Sequence, residues 1–485
     1  MLMKIVTVVA AGIALAGMGG WWQSVASDKD VSAAVDEYVR REMRAEQIPG
    51  LALGVMRDGV LMKAQGYGSC NLELSVAVKP ESMFQTGSVG KQFTATAVMM
   101  LVEEGKVKLD DPVSKYLPGT PPSWREITVR NLLTHTSGVA DYETENSIKP
   151  GGLINLRQDY TEDELFQKII TMPLDFQPGE KWKYSNTGYV LLGFLIHKVT
   201  GEFYGDYLQQ RIFQPLGMNA TRIISEADII PNRCAGYALV KGELKNQEWV
   251  SPTINTTADG ALYTNVLDMA RWDAALYTEK LLKKSSLQQI WTPVRLRNGK
   301  TYPYGFGWDV TEVNGHRLIA HDGAWQGFTT NISRYTDDKL TVVVLTNLDS
   351  EHAEPWKIAR NVAGLYVPAV KPAELAPIED KNPQVTALLR ATIEWIAAGK
   401  VDPATFAPDF RKTIFPEGIA AMRENIQAYG DLKTVQLLGQ REDASDEGEM
   451  QPVFVYRLAF EKKTVNMELT LDHNGKIAGL EPASE

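Results

Sequence analysis

The sequence predicts an α+β chain. An antiparallel sheet flanked by helices is joined to a helical region, and a smaller C-terminal α+β domain follows. Three observations predict this. Strand-like runs stand at both ends of the first domain, at 51–66 and again at 306–346, with a mainly helical middle from Val129 to Leu282. Strands from both ends of a domain with helices between them imply one sheet built from its two termini and covered by helices. Met83 to Val102 holds a single charge, and after Lys91 it reads as a buried helix, apolar on most of its faces. Beyond Tyr366 the composition shifts to a proline-rich stretch, which places a domain boundary there.

Taken in chain order, residues 1–26 carry one charge, Lys4, then an apolar stretch from Ile5 to Gly20, and end in the small residues Ser24-Val25-Ala26. That pattern reads as a secretory signal, which makes the expected location periplasmic or secreted, in a bacterium. Membrane attachment enters only if this segment stays uncleaved. Val31 to Glu46 has the apolar spacing of an amphipathic helix. Leu51 to Met56 and Val60 to Gly66 form a strand pair turned at Asp58-Gly59. The helix carrying Lys91 is closed by Gly105. A polar loop at 141–161 interrupts the helical middle. Strands return at 306–346, with a turn at Asp337-Asp338-Lys339, and a helix from about Pro355 to Leu365 ends the domain. The first domain thus spans 30–368.

Residues 369–383 form the linker, within a stretch (VPAVKPAELAPIEDKNP) that holds four prolines. The second domain, 384–485, begins with a helix over Val385 to Ala398, ended by Gly399, and finishes with strands at 433–440, 452–461, 464–472 and 476–481. Helices followed by a curled antiparallel sheet resemble, in element order, the nuclear-transport-factor-like cone fold.

The chemistry centres on Ser88-Val-Gly-Lys91. Lys91 is the only charged residue between Met83 and Val102, and a buried ammonium is costly unless paired or neutralised. Ser88, three residues earlier, projects from the same face of the first turn. Desolvation favours the neutral amine, which can then take the proton of a neighbouring hydroxyl. A tetrapeptide S-x-x-K arises by chance about once or twice in a chain of this length, so the downstream pattern decides. Tyr184-Ser185-Asn186 offers a phenol to relay protons and an amide to hold a carbonyl, and His321-Asp322-Gly323 follows just before further strands. Tyr263-Thr264-Asn265 and His473-Asn474-Gly475 repeat the two patterns, but read as a turn with a helix start and as a hairpin turn respectively.

In order and spacing these motifs resemble the class C β-lactamase and penicillin-recognising serine hydrolase family, as do LLTHTSGV at 132–139, PGEKWKYSNTGYVLLG at 178–193 and GALYTNVLDMARW at 260–272. The resemblance covers residues 30 to 368. It implies a sheet-and-helix domain with the serine at its junction with the helical region. It also implies a two-step acyl transfer in which Ser88 attacks a carbonyl while Lys91, with Tyr184, takes its proton. The backbone N–H groups of Ser88 and Ala324 would hold the oxyanion, next to His321 and Gly323, and Asn186 would position the substrate. No metal or organic cofactor is implied. His135, in LLTHTSGV, is expected to order a loop.

The substrate follows less directly. Many family members that bind penicillins or D-alanine termini have Lys-Thr-Gly or His-Thr-Gly as the third motif, where this chain has Asp322 in the middle. A carboxylate facing the cleft repels an acidic substrate. The expectation is therefore an exported serine hydrolase acting on small esters or on D-amino-acid amides or peptides. β-Lactamase or D-Ala-D-Ala carboxypeptidase activity stands as one alternative, and a catalytically idle relative that binds wall fragments or a partner as another. Net charge of −10 with no basic run argues against a nucleic-acid partner. No Cys/His cluster has metal-ligand spacing. Cys70 and Cys234 could pair in an oxidising compartment, although two distant cysteines do not by themselves establish it.

Overall fold

A computed structural model of the chain describes residues 28–143, 152–350, 353–371, 375–444 and 450–483. The signal segment expected at residues 1–26 lies outside the described residues. The chain divides into two compact units between Lys371 and Pro372.

The first unit opens with helix α1 (Asp28–Ala45) and strands β1 (Gly50–Arg57), β2 (Val60–Asn71) and β3 (Val76–Ala77). Asp58 and Gly59 turn β1 into β2, both at positive φ (52° and 74°), as a two-residue hairpin requires. Helix α2 (Lys91–Glu103) and helix α3 (Asn186–Thr200) come from the middle of the chain. The strands β4 (Asp309–Val313), β5 (His316–Trp325), β6 (Phe328–Tyr335) and β7 (Leu340–Thr346) and helix α4 (Pro355–Tyr366) close the unit. The sheet runs β4-β5-β6-β7-β1-β2-β3, so β7 pairs antiparallel with β1 and joins the two ends of the unit.

Strand periodicity decides what each face touches. Leu51, Leu53, Val55, Val342 and Val344 pack with Val35, Val39, Ile358 and Val362 of α1 and α4. The alternate residues Ala52, Met56, Val343 and Leu345 belong to the larger core with α2, α3, Val266 and Met269. Because both faces are covered, the central strands read as continuous apolar runs rather than as alternation. Lys91 to Leu101 of α2 are all buried, and Phe93 sits against Trp272 and Phe213 at ring-centroid distances of 4.5 and 5.3 Å. Such a helix is set into the middle of its unit by packing on all sides.

The middle of the chain is less helical than its composition predicts. Short strands occur at Arg222–Ile223, Tyr237–Val240, Glu243–Asn246 and Leu262–Thr264. Lys241 and Gly242, both at positive φ, make a tight hairpin of the second and third. The short apolar run Tyr237-Ala238-Leu239-Val240 ahead of Lys241-Gly242 was the available signal, and the surrounding helices obscured it. Cys70 and Cys234 form a disulfide, with Cα atoms 4.6 Å apart, tying the end of β2 to the segment before these strands. Among the described residues no helix is long and apolar enough to cross a membrane.

The second unit holds helices α5 (Pro383–Ala398), α6 (Pro408–Ile414) and α7 (Glu417–Tyr429). An antiparallel meander follows: β8 (Leu432–Ala444), β9 (Met450–Phe460), β10 (Thr464–Leu471) and β11 (Ile477–Pro482). Its own core gathers Leu389, Ile393 and Ile396 of α5 with Phe454, Tyr456, Leu458, Leu469 and Ile477 of the sheet. His473-Asn474-Gly475 is the β10–β11 turn, with Gly475 at φ 73°.

Candidate active site

Ser88 lies in a single 3₁₀ turn, Gly87–Gly90, that runs directly into α2 at Lys91. Residues three apart eclipse one another in such a turn, which aligns the two side chains more closely than an α-helix would. Lys91 Nζ stands 2.8 Å from Ser88 Oγ, 2.7 Å from Asn186 Oδ1 and 2.8 Å from the carbonyl oxygen of Asp259. The Asn186 amide cannot be turned the other way, because its Nδ2 donates to Asp141 and Glu143, at 3.3 and 3.2 Å.

These contacts restrict what Lys91 can do. A neutral amine has two N–H bonds and one lone pair. Asn186 Oδ1 and the Asp259 carbonyl can only accept, so they take both N–H bonds, and the lone pair is left for Ser88. Burial lowers the amine's pKa from its ordinary value to about 8, against the pull of Asp259, Asp141 and Glu143. Tyr184 hydrogen-bonds with Ser88, and its ring lies 4.8 Å below Lys91 Nζ. Burial pushes the Tyr184 hydroxyl well above the usual phenol range, so it stays protonated. A phenol that keeps its proton passes one on rather than removing one.

The opposite wall is the outer end of β5. Gly87, at φ 50°, turns the chain so tightly against it that a Cβ there would lie 2.6 Å from Ala324 N. A Cβ on Gly323 would overlap Thr86 O and reach to 3.0 Å from Ser88 N. Both glycines are required by this approach, which brings the backbone of Ala324 against the Ser88 turn. Ser88, Tyr184, Asn186, His321, Gly323 and Ala324 therefore share one cleft of about 550 Å³, with Lys91 buried beneath it.

Sequence reasoning anticipated Asp322 at this cleft but missed the three further carboxylates beside it. Glu143, Asp259, Asp309 and Asp322 line it, and among the described residues no arginine or lysine does. Burial raises the carboxyl groups of Glu143 and Asp309 to about 7, and the nearby charge of Asp322 adds to the rise at Asp309. The enclosed setting raises Asp322 to about 6, opposed by the Asn331 amide 3.0 Å away. Asp322 alternates with buried neighbours along β5 and opens on the cleft. Trp182, Trp325 and Trp356 supply apolar wall. The loop at 141–161 was legible as polar, but nothing in it showed that Asp141 and Glu143 reach Asn186.

The competing motifs lie elsewhere in function. Tyr263 is in a short strand, and Asn265 caps the helix Val266–Ala275 by accepting from Asp268 N. His135 is buried and orders the loop around the site. Its Nδ1 accepts from Ser185 N–H at 3.1 Å and its carbonyl from Lys183 N–H at 3.0 Å.

Comparison with known proteins bears on the family and the fold. The family model described as Beta-lactamase matches residues 35–365. Penicillin-binding protein 4* of Bacillus subtilis (strain 168) is 32% identical over 321 residues, covering 61% of this chain and 69% of that protein. A D-aminopeptidase of Gluconobacter oxydans (strain 621H) is 27% identical over 386 residues, covering 77% of this chain and 70% of that protein. The octameric penicillin-binding protein homologue from Pyrococcus abyssi superposes with a TM-score of 0.63 at 24% identity, over 91% of this chain and 97% of that chain. This last likeness speaks for the fold of both units.

Proposed function

Because this chain belongs to the Beta-lactamase family and is a serine hydrolase, we propose that it cleaves amides or esters bearing a free ammonium, D-amino-acid amides and peptides above all, through an acyl-enzyme on Ser88. The observation that carries this reading is that Ser88 stands in a cleft whose described lining residues include four carboxylates and no lysine or arginine. The D configuration is inferred from likeness to the D-aminopeptidase.

Ser88 Oγ attacks the carbonyl carbon as its proton passes to the Lys91 lone pair. The negative oxygen is held by the N–H groups of Ser88 and Ala324, each worth roughly 3 kcal/mol of barrier. The proton then moves through the Tyr184 hydroxyl to the leaving nitrogen or oxygen as the scissile bond breaks. Water adds to the acyl carbon by the same route and frees Ser88. Asn186 Oδ1 holds the Lys91 amine and has a second lone pair to accept an N–H of the substrate. Penicillins and D-alanine termini carry a carboxylate, which Asp322 and Glu143 oppose.

A D-alanyl anilide should therefore be cleaved with a kcat/KM at least tenfold above that of its N-acetyl derivative. Asp322→Asn should shrink that ratio several-fold, mainly through KM. Capture of the ammonium requires ionised carboxylates, so KM for the free-amine substrate should fall as pH rises through about 6 to 7, the range to which Asp322 and Glu143 are raised. Equal turnover of the acetylated compound, or faster turnover of nitrocefin, would sink this specificity.

Export is part of the same reading. A buried disulfide between Cys70 and Cys234 suits an oxidising compartment, and residues 1–26 have the make-up of a secretory signal. N-terminal sequencing of the mature protein should begin at Ser27. Recovery of the full-length chain only from the membrane fraction would point to an anchored form.

A further inference from the structure

Behind Tyr184 a run of hydrogen bonds crosses the site from one motif to the other. Ser185 N–H donates to His135 Nδ1 at 3.1 Å; His135 Nε2 lies 3.1 Å from the Tyr304 hydroxyl. That hydroxyl lies 2.8 Å from His321 Nε2, and His321 Nδ1 lies 2.5 Å from the backbone carbonyl of Asp322. Both ends of the run are backbone groups with a fixed sense. An N–H can only donate, so His135 Nδ1 carries no proton. A carbonyl can only accept, so His321 Nδ1 carries one.

A neutral imidazole has a single N–H, so the middle of the run follows. His135 donates from Nε2 to the Tyr304 oxygen, and His321 Nε2 is bare and takes the Tyr304 proton. Tyr189 also contacts the Tyr304 hydroxyl, but gives its own proton to the Leu133 carbonyl at 2.8 Å and offers only a phenol oxygen. The bare imidazole nitrogen is the stronger acceptor of the two. Neutrality is enforced by burial: His135, His321 and Tyr304 are at most 4% exposed. Burial, with Lys91 nearby, lowers His321 to about 3 and His135 well below the ordinary imidazole value.

From this geometry we propose that Tyr304 is a positioning residue, which holds His321 as its Nδ1–H tautomer so that the ring anchors the Asp322 carbonyl and sets the strand end presenting Ala324 N–H. The same run starts at Ser185, between Tyr184 and Asn186, and so couples the two motifs that flank the nucleophile. Without the Tyr304 hydroxyl, His321 Nε2 has no donor, the opposite tautomer competes, and the Asp322 carbonyl loses its anchor. This inference rests on the acyl-transfer reading of Ser88 given above.

The test uses the full chain with ¹⁵N-labelled histidine and a fluorophosphonate probe. Long-range ¹H–¹⁵N spectra, with a His321→Gln sample for assignment, should show His321 protonated at Nδ1 and His135 at Nε2, both neutral between pH 5.5 and 8. Tyr304→Phe retains the ring, which packs at centroid distances of 4.8 Å from His135 and 5.7 Å from His321. It should lower the maximal labelling rate of Ser88 roughly tenfold or more while probe affinity changes far less. His321 found protonated at Nε2 in the unaltered protein would overturn the proposal, and this readout stands even if the phenylalanine variant does not fold. Equal labelling rates in both proteins would overturn the positioning role alone. Absence of any Ser88 adduct in the unaltered protein would remove the acyl-transfer reading and this inference with it.

Discussion

Ser88→Ala should abolish hydrolysis and covalent labelling together, lowering kcat by roughly 10⁴- to 10⁶-fold, while the protein keeps its thermal midpoint within a few degrees. The chemistry is lost because no other hydroxyl is aligned with the Lys91 lone pair. Among the described residues Lys91 Nζ hydrogen-bonds with Ser88, Asn186 and the Asp259 carbonyl, and the last two have no proton to give in that direction. The fold is retained because Ser88 is only partly buried and the change removes one oxygen, leaving no sizeable cavity. The turn that carries it is held by Gly87 and Gly260 and by Thr86, whose hydroxyl donates to the Gly260 carbonyl at 2.8 Å. Mass spectrometry after fluorophosphonate treatment checks the result. A mutant that still forms an adduct elsewhere and keeps more than a hundredth of the rate would place the nucleophile on another residue.

Lys91→Met should cost about 10⁴-fold in kcat/KM, again without unfolding the protein. Methionine nearly preserves the volume of a side chain that is fully buried. Two opposing effects bear on stability. The folded protein holds Lys91 near pKa 8 against 10.5, which is a cost of about 3 kcal/mol at neutral pH that the mutant escapes. Against this, Asn186 Oδ1, Ser88 Oγ and the Asp259 carbonyl lose their shared partner, at about 1 kcal/mol or more apiece. The two nearly offset each other.

The same pKa gives the unaltered enzyme a pH signature. The base works when neutral, so kcat/KM for an uncharged ester should rise as pH passes through about 8 and level off above it. Linkage has the same sense. The unfolded chain binds the Lys91 proton more tightly, so this group's contribution to stability grows as pH rises from about 8 towards 10.5. A rate limb that stays flat between pH 7 and 9 would show that Lys91 is not the base.

Much of the site was legible because its chemistry is local. Ser88 and Lys91 are a turn apart, and one lysine in an apolar run must be neutralised or paired wherever that run is buried. Tyr184 and Asn186 lie at the start of an apolar helix, where a polar pair has no packing role to explain it. The carboxylates were not legible in this way. Glu143, Asp259 and Asp309 each sit in ordinary polar or loop sequence, and only the folded chain brings them to one cleft. Tyr304 gave no signal at all, since a tyrosine between a proline and a glycine is an unremarkable loop residue.

By itself the sequence predicted the α+β class, a linker at 369–383 within which the two units divide, the strand pair around Asp58-Gly59, and Ser88 and Lys91 as the proposed nucleophile and base. These follow from periodicity, turn chemistry and the cost of burying charge, all of which act over a few neighbouring residues. Tertiary structure alone decided that Cys70 meets Cys234, that Glu143, Asp259 and Asp309 join Asp322 at the cleft, and that His135, Tyr304 and His321 form one directed run. Each of these joins distant parts of the chain: Cys70 and Cys234 are 164 residues apart, and His135 and Tyr304 are 169 apart. Distances between residues far apart in the chain are set by that packing, and no short stretch of sequence encodes them.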